Sequence, residues 1–534
     1  MVMEPREYQS KIFETAKDFN TLVVLPTGTG KTLVAFLLAK HRLESFPSSK
    51  ILFLAPTKPL VEQHYDYFKA NLPELYAELQ MFTGKIGAKA REKIWPKADI
   101  IFSTPQCIAN DLKRRRIDLS EVSLLIEDEA HRCTKNYDYT YVAKKYLETS
   151  KNPRIIGMTA SPGSDQQTIS DICECLGIEK IESRDRESAD VQPYLQELSV
   201  EIVYVDLPPE LCEIGVLLKE MYDKKIDELR NRRLLFGPPS KKNLLLLQHK
   251  LGGMASSGNS HFNVLKGLSV CAQAIKLSHA IELAETQGIT PLRRYFQNLF
   301  EQANNNQSNA VKQIVKNPLF GKAYTEVIRL EGKIEHPKFD RLKELVKEEI
   351  LKNPKSRFII FSQYRDMASL ITNELNKIPE IKSRLFIGQL KKNDIGLSQK
   401  EQRIIIEQFR NGDINTLTST SIGEEGLDLP EVNIVIFYEP IPSAIRKIQR
   451  QGRTARLKPG KLITLMTKGT RDETNYWTAF HKEKKMKKII SNMQEDFERA
   501  RKEGLSSMPE TSEVSERKKQ KSIDEFKSDS VLSN

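Results

Sequence analysis

Length and charge set the first limits on this sequence. With 534 residues the chain exceeds one compact domain, and about 150 residues per domain suggests three or so. The formal net charge of +12 favours a polyanionic partner, with nucleic acid ahead of an anionic membrane surface. The six cysteines form no CxxC pair, and no apolar run approaches the roughly 20 residues of a membrane span. We therefore expect reduced thiols, no zinc or disulfide scaffold, and a cytoplasmic protein without a membrane partner.

The pattern of apolar runs divides the chain into four parts. Over 1–206, short apolar runs alternate with helical stretches, which predicts a parallel sheet with crossover helices. This rhythm disappears over 207–330, where long helical runs predict an insert, and it returns over 331–480. Residues 481–534 predict a basic helix and then a disordered tail, because the tail has too few apolar residues to pack. The predicted fold class is α/β: two parallel-sheet domains with an all-helical insert between them.

The stretch LVVLPTGTGKTLVAFLLA, 22–39, predicts a strand, loop and helix that bind nucleotide phosphates. Gly28 and Gly30 allow the backbone N–H groups to turn inward. Lys31 is expected to reach the outer phosphates, and Thr32 to ligate magnesium. The start of the helix adds its positive end. The residues expected to hold the nucleotide are Pro26, Thr27, Gly28, Thr29, Gly30, Lys31 and Thr32.

The run LLIEDEAH, 124–131, predicts an apolar strand that delivers carboxylates to the same nucleotide. Asp128 is expected in the ligand shell of the metal, and Glu129 is expected to orient or deprotonate the attacking water. His131 is suited to report the state of the nucleotide to neighbouring loops. A solvated strand end is the alternative, but the presence of Lys31 earlier in the same parallel sheet favours the catalytic interpretation.

The run QRQGRTAR, 449–456, supplies positive charge from the second sheet domain. Arg453 and Arg456 are three residues apart, so we expect them on one helix face. We interpret them as arginine fingers, which increase the rate of phosphoryl transfer by roughly a thousandfold or more. Gln449 completes the catalytic candidates. The alternative is a basic helix on a solvated surface.

Seven motifs occur in the order that is typical of superfamily-two helicases. They are PTGTGKT, APTKPL, STPQ, DEAH, TAS, SIGEEGLDLP and QRQGRTAR. From about residue 5 to about residue 476, the chain resembles the DEAH-containing branch that includes archaeal Hef and its eukaryotic relative FANCM. The resemblance implies two RecA-like domains, with ATP and magnesium at their interface and a nucleic-acid strand that crosses both.

The resemblance also implies roles for single residues near the nucleotide. Arg6 and Gln9 match the adenine-reading motif, with Gln9 as donor and acceptor to the base. Gly426 and Asp428 match residues near the sugar and phosphates.

Further matched positions concern coupling and the nucleic-acid path. Thr159 and Ser161 would couple the nucleotide site to the strand path, and Arg450 would pair with an acidic residue of the first domain. The positions that match contacts to the nucleic-acid backbone are Thr57, Lys58, Thr104, Gln363 and Thr420.

Part of the helical insert carries charges of one sign only. From Leu229 to Ile281 there is no Asp or Glu, and such a field is unfavourable unless a polyanion offsets it. The cations that we expect to contact nucleic acid are Arg230, Arg232, Arg233, Lys241 and Lys242. In Hef-like proteins the resemblance implies that this insert grips duplex at a fork or junction. We therefore predict remodelling of forked or branched DNA in repair, by a protein associated with the nucleoid.

Two alternatives remain from other classes. Dicer-type and RIG-I-type ATPases, which act on double-stranded RNA, share the core and the insert; the segments IEDEAHRC and SIGEEGLDLPEV are more similar to the Hef group. A catalytically silent nucleic-acid-binding scaffold is disfavoured because Lys31, Asp128 and Glu129 are all present. No ERKxxxD-like carboxylate set follows Tyr476, so we expect no nuclease activity from this sequence and a separate nuclease as a candidate partner.

The tail contains one further candidate motif. Gln520, Ile523 and Phe526 in QKSIDEFK have the spacing that puts a glutamine and two apolar side chains on one face of a short turn. This resembles the peptide with which DNA-repair proteins bind the sliding clamp. A polar tail without a partner is the alternative.

Overall fold

The computed structural model describes residues 4–73, 76–134, 137–258, 261–388, 396–420, 423, 429–455 and 458–502. These residues belong to two compact units. The first unit combines Met1–Leu195 with Lys482–Asn534, and the second is Gln196–His481. Each unit contains one parallel sheet, and the helical segment belongs to the second unit. The predicted fold class is confirmed for the described part of the chain.

The first unit is organised around a seven-stranded parallel sheet with the strand order β3-β4-β2-β5-β6-β1-β7. Its strands are β1 Thr21–Val24, β2 Lys50–Leu54, β3 Leu79–Phe82, β4 Ile100–Ser103, β5 Val122–Asp128, β6 Ile155–Thr159 and β7 Lys180–Ser183. Its first helices are α1 Glu7–Asp18, α2 Lys31–Ser45, α3 Lys58–Asn71, α4 Ala88–Ile94, α5 Pro105–Lys113, α6 Asp138–Thr149 and α7 Gln166–Cys175. The central strands are buried along their whole length because helices cover parallel sheets on both faces, which explains their continuous apolar runs.

The end of the chain completes the first unit. Helix α18, Arg471–Lys502, belongs to this unit from Lys482 onward. Met486 is buried, and its Sδ accepts a hydrogen bond of 2.9 Å from Ser161 Oγ. The amide of Gln494 donates to the carbonyl oxygen of Ile181 in β7. Residues far apart in sequence therefore share one core.

The second unit contains a six-stranded parallel sheet with the order β10-β11-β9-β12-β13-β8. Its strands are β8 Leu198–Val205, β9 Phe358–Phe361, β10 Ser383–Phe386, β11 Thr416–Ser419, β12 Ile434–Phe437 and β13 Gly460–Thr467. The helices around it are α14 Pro337–Lys352, α15 Arg365–Leu375, α16 Gln399–Asn411 and α17 Ala444–Gln451, and α18 begins in this unit.

Strand β8 differs from the sequence prediction. The predicted boundary at residue 206 assigned it to the first sheet domain, but β8 pairs with β13 from Leu198↔Gly460 to Val205↔Thr467. It forms the edge of the second sheet, with several half-exposed or exposed positions. A strand that precedes the insert in sequence gives no local sign of which sheet it joins, since its partner lies far along the chain.

The described part of the insert contains six helices. They are α8 Pro209–Asn231, α9 Lys241–Ser256, α10 Phe262–Thr286, α11 Ile289–Asn304, α12 Asn309–Val315 and α13 Pro318–Leu330. Residues from α8, α10, α11, α12 and α13 form its main core, and a smaller cluster joins α8, α9 and α10 at the basic stretch, residues 229–281. Across the described ranges, no helix has the length and apolar character needed to cross a membrane.

Candidate nucleotide and nucleic-acid sites

The phosphate loop lies between β1 and α2 in the first unit, as the sequence predicted. Gly28 and Gly30 have φ values of 81° and 78°, the left-handed region that glycine adopts without strain. A Cβ on Gly30 would also collide with Gln9 Nε2. Lys31 begins α2, and its Nζ donates to the carbonyl oxygen of Leu25 over 2.9 Å. The loop therefore curls around the ammonium group that is expected to meet phosphate.

Of the two predicted adenine-reading residues, Gln9 is hydrogen-bonded directly to this loop. Gln9 is 3% exposed, and its Nε2 donates to the carbonyl oxygen of Thr29 over 3.0 Å. Its Oε1 accepts from the backbone N–H of Arg6 over 2.8 Å. The hydroxyl of Tyr8 donates to the same Thr29 oxygen over 2.6 Å, a contact that the sequence analysis did not identify. The Arg6 guanidinium lies 5.0 Å from the ring centre of Tyr194.

Asp128 ends β5 and is fixed by two side chains that the sequence analysis missed. His64 Nε2 donates to Asp128 Oδ2 over 2.8 Å, and the Tyr139 hydroxyl donates to the Asp128 carbonyl oxygen over 2.7 Å. Burial raises the pKa of Asp128, but the hydrogen bond from His64 and the charge of Lys31 outweigh it, so the pKa lies below its ordinary value. Asp128 is therefore a carboxylate held ionised close to Lys31.

The next residues connect this carboxylate to β6. Glu129 has φ 52° and begins the 3₁₀ turn Ala130–Arg132, so the chain changes direction at the proposed base. His131 Nδ1 lies 3.3 Å from Glu129 Oε2 and 3.2 Å from Thr159 Oγ1. Thr159 Oγ1 also accepts from the backbone N–H of Ser161. The structure thus brings together all the first-unit residues that were predicted to couple nucleotide and strand path.

The donors available for magnesium are oxygen atoms. Among the described residues, no group of three or more His, Cys, Asp or Glu side chains has the arrangement of a metal site. Thr32 and Asp128 offer a hydroxyl and a carboxylate, the hard oxygen donors that Mg²⁺ prefers, and phosphate oxygens commonly supply further ligands. The residues present fit a magnesium ion that is shared with nucleotide phosphates, and they do not fit a metal cage made of protein alone.

The predicted contacts to the nucleic-acid backbone fall at the carboxyl ends of neighbouring strands. Thr57 and Thr104 are the N-caps of α3 and α5, which follow the paired strands β2 and β4. Lys58 follows Thr57 and pairs with Glu62 at 2.9 Å. In the second unit, Gln363 and Thr420 follow the paired strands β9 and β11. In each unit the candidate contacts therefore lie at the carboxyl ends of the strands of its own sheet.

The arginine run of the second unit differs from its prediction. Helix α17 ends at Gln451 with Gly452 as its C-cap, so the expectation that Arg453 shares a helix face with Arg456 is wrong. Arg453 lies beyond the helix, and its Nε donates to the carbonyl oxygen of Gly423 over 3.1 Å. Arg450 is fully buried, with its guanidinium 4.8 Å from the ring centre of Phe361. Gln449, also within α17, is 3% exposed.

Several predicted residues fall in parts of the chain that the structure does not describe. Arg456, Gly426 and Asp428 lie outside the described residues, as does the tail motif. The tail residues concerned are Gln520, Ile523 and Phe526.

The basic stretch of the insert divides into paired and unpaired cations. Arg230 lies 3.8 Å from Asp227, Arg232 lies 3.2 Å from Glu228, and Lys241 lies 3.2 Å from Glu282. Arg233 and Lys242 are exposed, and neither has an ion-pair partner among the described residues. These last two are the cations of the predicted set that are best placed to meet an external anion.

Three family profiles match consecutive parts of this chain. Residues 6–169 match the family described as DEAD/DEAH box helicase, and residues 337–458 match the helicase conserved C-terminal domain. Residues 210–334, which include the insert helices, match a helical bundle whose provisional description is ATP-dependent RNA helicase. Together the three profiles cover the insert helices and most strands of both sheets, whereas β7, β8 and β13 lie outside the matched ranges.

Individual proteins are similar over most of the chain. The solved helicase domain of Hef from Pyrococcus furiosus is 43% identical, with a TM-score of 0.67, over 89% of this chain and 98% of that one. A Methanocaldococcus jannaschii protein, provisionally named ATP-dependent RNA helicase MJ1505, is 39% identical over 92% of this chain and 61% of its own length. The ATP-dependent DNA helicase mph1 of Neurospora crassa is 34% identical over 88% of this chain and 41% of its own length. The chain therefore spans about half the length of the two curated relatives.

Proposed function

Because this chain belongs to the DEAD/DEAH-box helicases and is of the Hef type, we propose that it is an ATP-driven motor that remodels forked and branched DNA. The family is an ATP-dependent one, so ATP is the substrate of the motor. The relative from Neurospora crassa is named a DNA helicase, which supports the choice of DNA.

The nucleotide chemistry is assigned to residues of the first unit. Lys31 and the backbone N–H groups of its loop bind the phosphates, and Glu129 accepts a proton from the attacking water. Thr32 and Asp128 would hold magnesium, which neutralises charge on the phosphates when it is bound. His64 keeps Asp128 ionised and oriented for that task. Arg453 and Arg456 are proposed as arginine fingers on the basis of their positions in the sequence.

The observation that carries the proposal of a nucleic-acid substrate is the charge of the insert. The 53-residue span from Leu229 to Ile281 contains no acidic residue, and the exposed Arg233 and Lys242 lie within it. Cations that lack a carboxylate partner bind phosphate at the lowest free-energy cost, because no ion pair has to be broken first. The insert shares a compact unit with Gln363 and Thr420. One unit therefore contains both a candidate branch-binding surface and candidate contacts to the translocated strand.

Double-stranded RNA is the second candidate substrate. The profile that matches the insert and the name of the Methanocaldococcus jannaschii relative both refer to RNA helicases. A-form duplexes are recognised through phosphates and shape, which a basic helical surface can also provide.

One experiment separates the two substrates. ATP hydrolysis is measured with forked DNA, linear duplex DNA and duplex RNA of equal length at one fixed salt concentration, because binding alone depends strongly on salt. We expect the strongest stimulation by forked DNA. Stimulation by duplex RNA above both DNAs would overturn the DNA assignment, and no stimulation by any of the three would favour the silent scaffold.

The partner predicted for the tail is tested separately. We propose that Gln520, Ile523 and Phe526 bind a sliding clamp. Removal of residues 504–534 should abolish clamp binding in a pull-down while ATP hydrolysis stays at the wild-type rate. Clamp binding that survives the truncation would contradict the proposal. The same pull-down, probed for a co-purifying nuclease, addresses the proposed separate nuclease.

A further inference from the structure

Glu439 is a buried carboxylate of the second unit that lies outside the seven helicase motifs and the basic stretch. It follows β12 by two residues and is 1% exposed. Its Oε1 accepts a hydrogen bond from the backbone N–H of Gln363, and its Oε2 accepts from Ser362 Oγ over 3.4 Å. Gln363 also donates from its side chain to the carbonyl oxygen of Pro440 over 3.3 Å. The segment after β9, with its predicted nucleic-acid contact, is thus held by Glu439 and the residue that follows it.

The same carboxylate contacts the helical insert. Gln287 is the C-cap of α10, and its Nε2 donates to Glu439 Oε2 over 3.4 Å. Gln287 is 0% exposed. One buried side chain therefore touches both the end of α10 and the Gln363 segment.

Helix α10 extends from this contact to the basic stretch. It contains 25 residues, which at 1.5 Å per residue span about 37 Å. Its first turns lie beside the end of α8, where Arg232 Nη1 donates to Asn263 Oδ1 over 3.1 Å. A helix of this length transmits a displacement of one end to the other, because its backbone hydrogen bonds make it rigid.

The second half of α10 is attached to the sheet domain at further points. Arg471, at the start of α18, donates to Ser278 Oγ over 3.2 Å and lies 3.8 Å from Glu285. His336 Nε2 donates to the carbonyl oxygen of Glu285 over 3.0 Å. The insert therefore meets the domain through buried and half-buried polar contacts, whose geometry is more restrictive than apolar packing.

The charge around Glu439 makes its position sensitive to its partners. Burial raises the pKa of Glu439, and the cations of Lys338 and Arg450 oppose that rise. Lys338 is itself fully buried and forms a 2.8 Å ion pair with Asp472. In such a network the shift of one partner leaves the remaining buried charges less well stabilised, which costs free energy.

We propose that Gln287 and Glu439 couple the insert to the nucleic-acid path of the motor. Binding of a branch at the basic stretch displaces α10, and the pair transmits that displacement to the Gln363 segment. Both are positioning residues, since they act through Gln363. The inference rests on the proposed function, because it requires that the insert bind branched DNA.

The test uses the full chain and compares ATP hydrolysis on forked and linear duplex DNA at saturating concentration. We expect Gln287→Ala to reduce the ratio of forked to linear stimulation at least about fivefold, the lower range of measured coupling between sites. Basal hydrolysis and forked-DNA binding should stay within about twofold of wild type. Gln273→Ala is the matched control, because Gln273 is equally buried in α10 but pairs with Gln313 inside the insert.

A second pair of variants separates coupling from packing. Glu439→Gln keeps an acceptor for the Gln363 N–H, and a turn of the Gln287 amide lets its oxygen accept from the new NH2 group. Glu439→Gln should therefore retain most of the ratio, whereas Glu439→Ala should lose it. If Gln287→Ala keeps the wild-type ratio of forked to linear stimulation, the coupling is wrong but the proposed function stands. An equal loss of this ratio in Gln273→Ala would have the same consequence. Equal stimulation of wild type by both DNAs would instead overturn the proposed function, and the coupling with it.

Discussion

His64 Nε2 donates a 2.8 Å hydrogen bond to Asp128 Oδ2, so a residue of α3 fixes the carboxylate that is expected to bind magnesium. His64 is 5% exposed and its ring centre lies 4.4 Å from that of Phe53, which leaves it little freedom to turn. The pair is buried and spans 64 residues of sequence.

His64→Ala should weaken the use of magnesium. Without its hydrogen bond, Asp128 loses both its orientation and part of the stabilisation of its charge. We expect the Mg²⁺ concentration for half-maximal ATP hydrolysis to rise about tenfold, measured at saturating ATP. His41→Ala is the control, because His41 lies in the same unit but contacts Phe13. The same rise in both variants would contradict a specific role for His64.

Lys31→Ala should stop ATP hydrolysis without removing nucleic-acid binding. The ammonium group is expected to stabilise phosphate charge, and loss of one such group typically lowers the rate about a hundredfold or more. Turnover and fork binding are measured side by side, with Lys40→Ala as control because Lys40 lies on the same helix and pairs with Glu44. Turnover that persists in Lys31→Ala would refute the site assignment.

The cations of the insert should differ in importance according to their internal partners. The double variant Arg233→Gln and Lys242→Gln removes two unpaired charges and should lower the slope of log affinity against log salt by about 2. The matched double variant Arg230→Gln and Lys241→Gln removes charges that are paired to Asp227 and Glu282, and we expect a smaller change. Glutamine is a suitable replacement for Arg233, because the positive φ of 54° at this position disfavours β-branched residues. Equal slopes for the two variants would contradict the ranking.

Stability should fall in mild acid because of His336. Burial, with a contribution from the charge of Lys338, lowers the pKa of His336 well below its ordinary value. The folded state therefore keeps it neutral, while the unfolded state takes up a proton below about pH 6.5. The unfolded state then binds more protons, so the free energy of unfolding decreases by about 1.4 kcal/mol per pH unit below that point.

The measurement is urea unfolding between pH 5 and pH 7.5. His336→Asn should flatten the dependence, since asparagine can still cap α14 but does not titrate. His249→Asn, at an exposed position of the insert, should leave the wild-type dependence unchanged. If the free energy of unfolding of His336→Asn depends on pH as steeply as that of wild type, groups other than His336 cause the dependence.

The parts of the site that follow one another in sequence were predictable, and the parts joined by long-range contacts were not. The loop around Lys31 and the strand that ends at Asp128 each have a local pattern, so their placement followed from the sequence. His64 and Tyr8 have no such pattern, because an ordinary helix face presents them. Arg453 was assigned to a helix because spacing alone does not reveal that Gly452 ends it.

The sheet domains were predictable for the same reason, with the exception of their edges. Buried parallel strands appear in the sequence as apolar runs. Strand β8 lies at an edge, and its place in the second sheet depends on pairing with β13. The cations of the insert were visible in the sequence, but which of them have internal carboxylate partners depends on the helix packing.

The first unit contains both early and late residues of the chain, and this affects how the protein is made. Met486 lies against Ser161, but the ribosome has to synthesise all of Gln196–His481 before the part of α18 that bears Met486 emerges. Domains generally fold as they are synthesised, from the N-terminus onward. The surface around Ser161 and Ile181 therefore remains exposed to solvent until residues 482–502 have been synthesised.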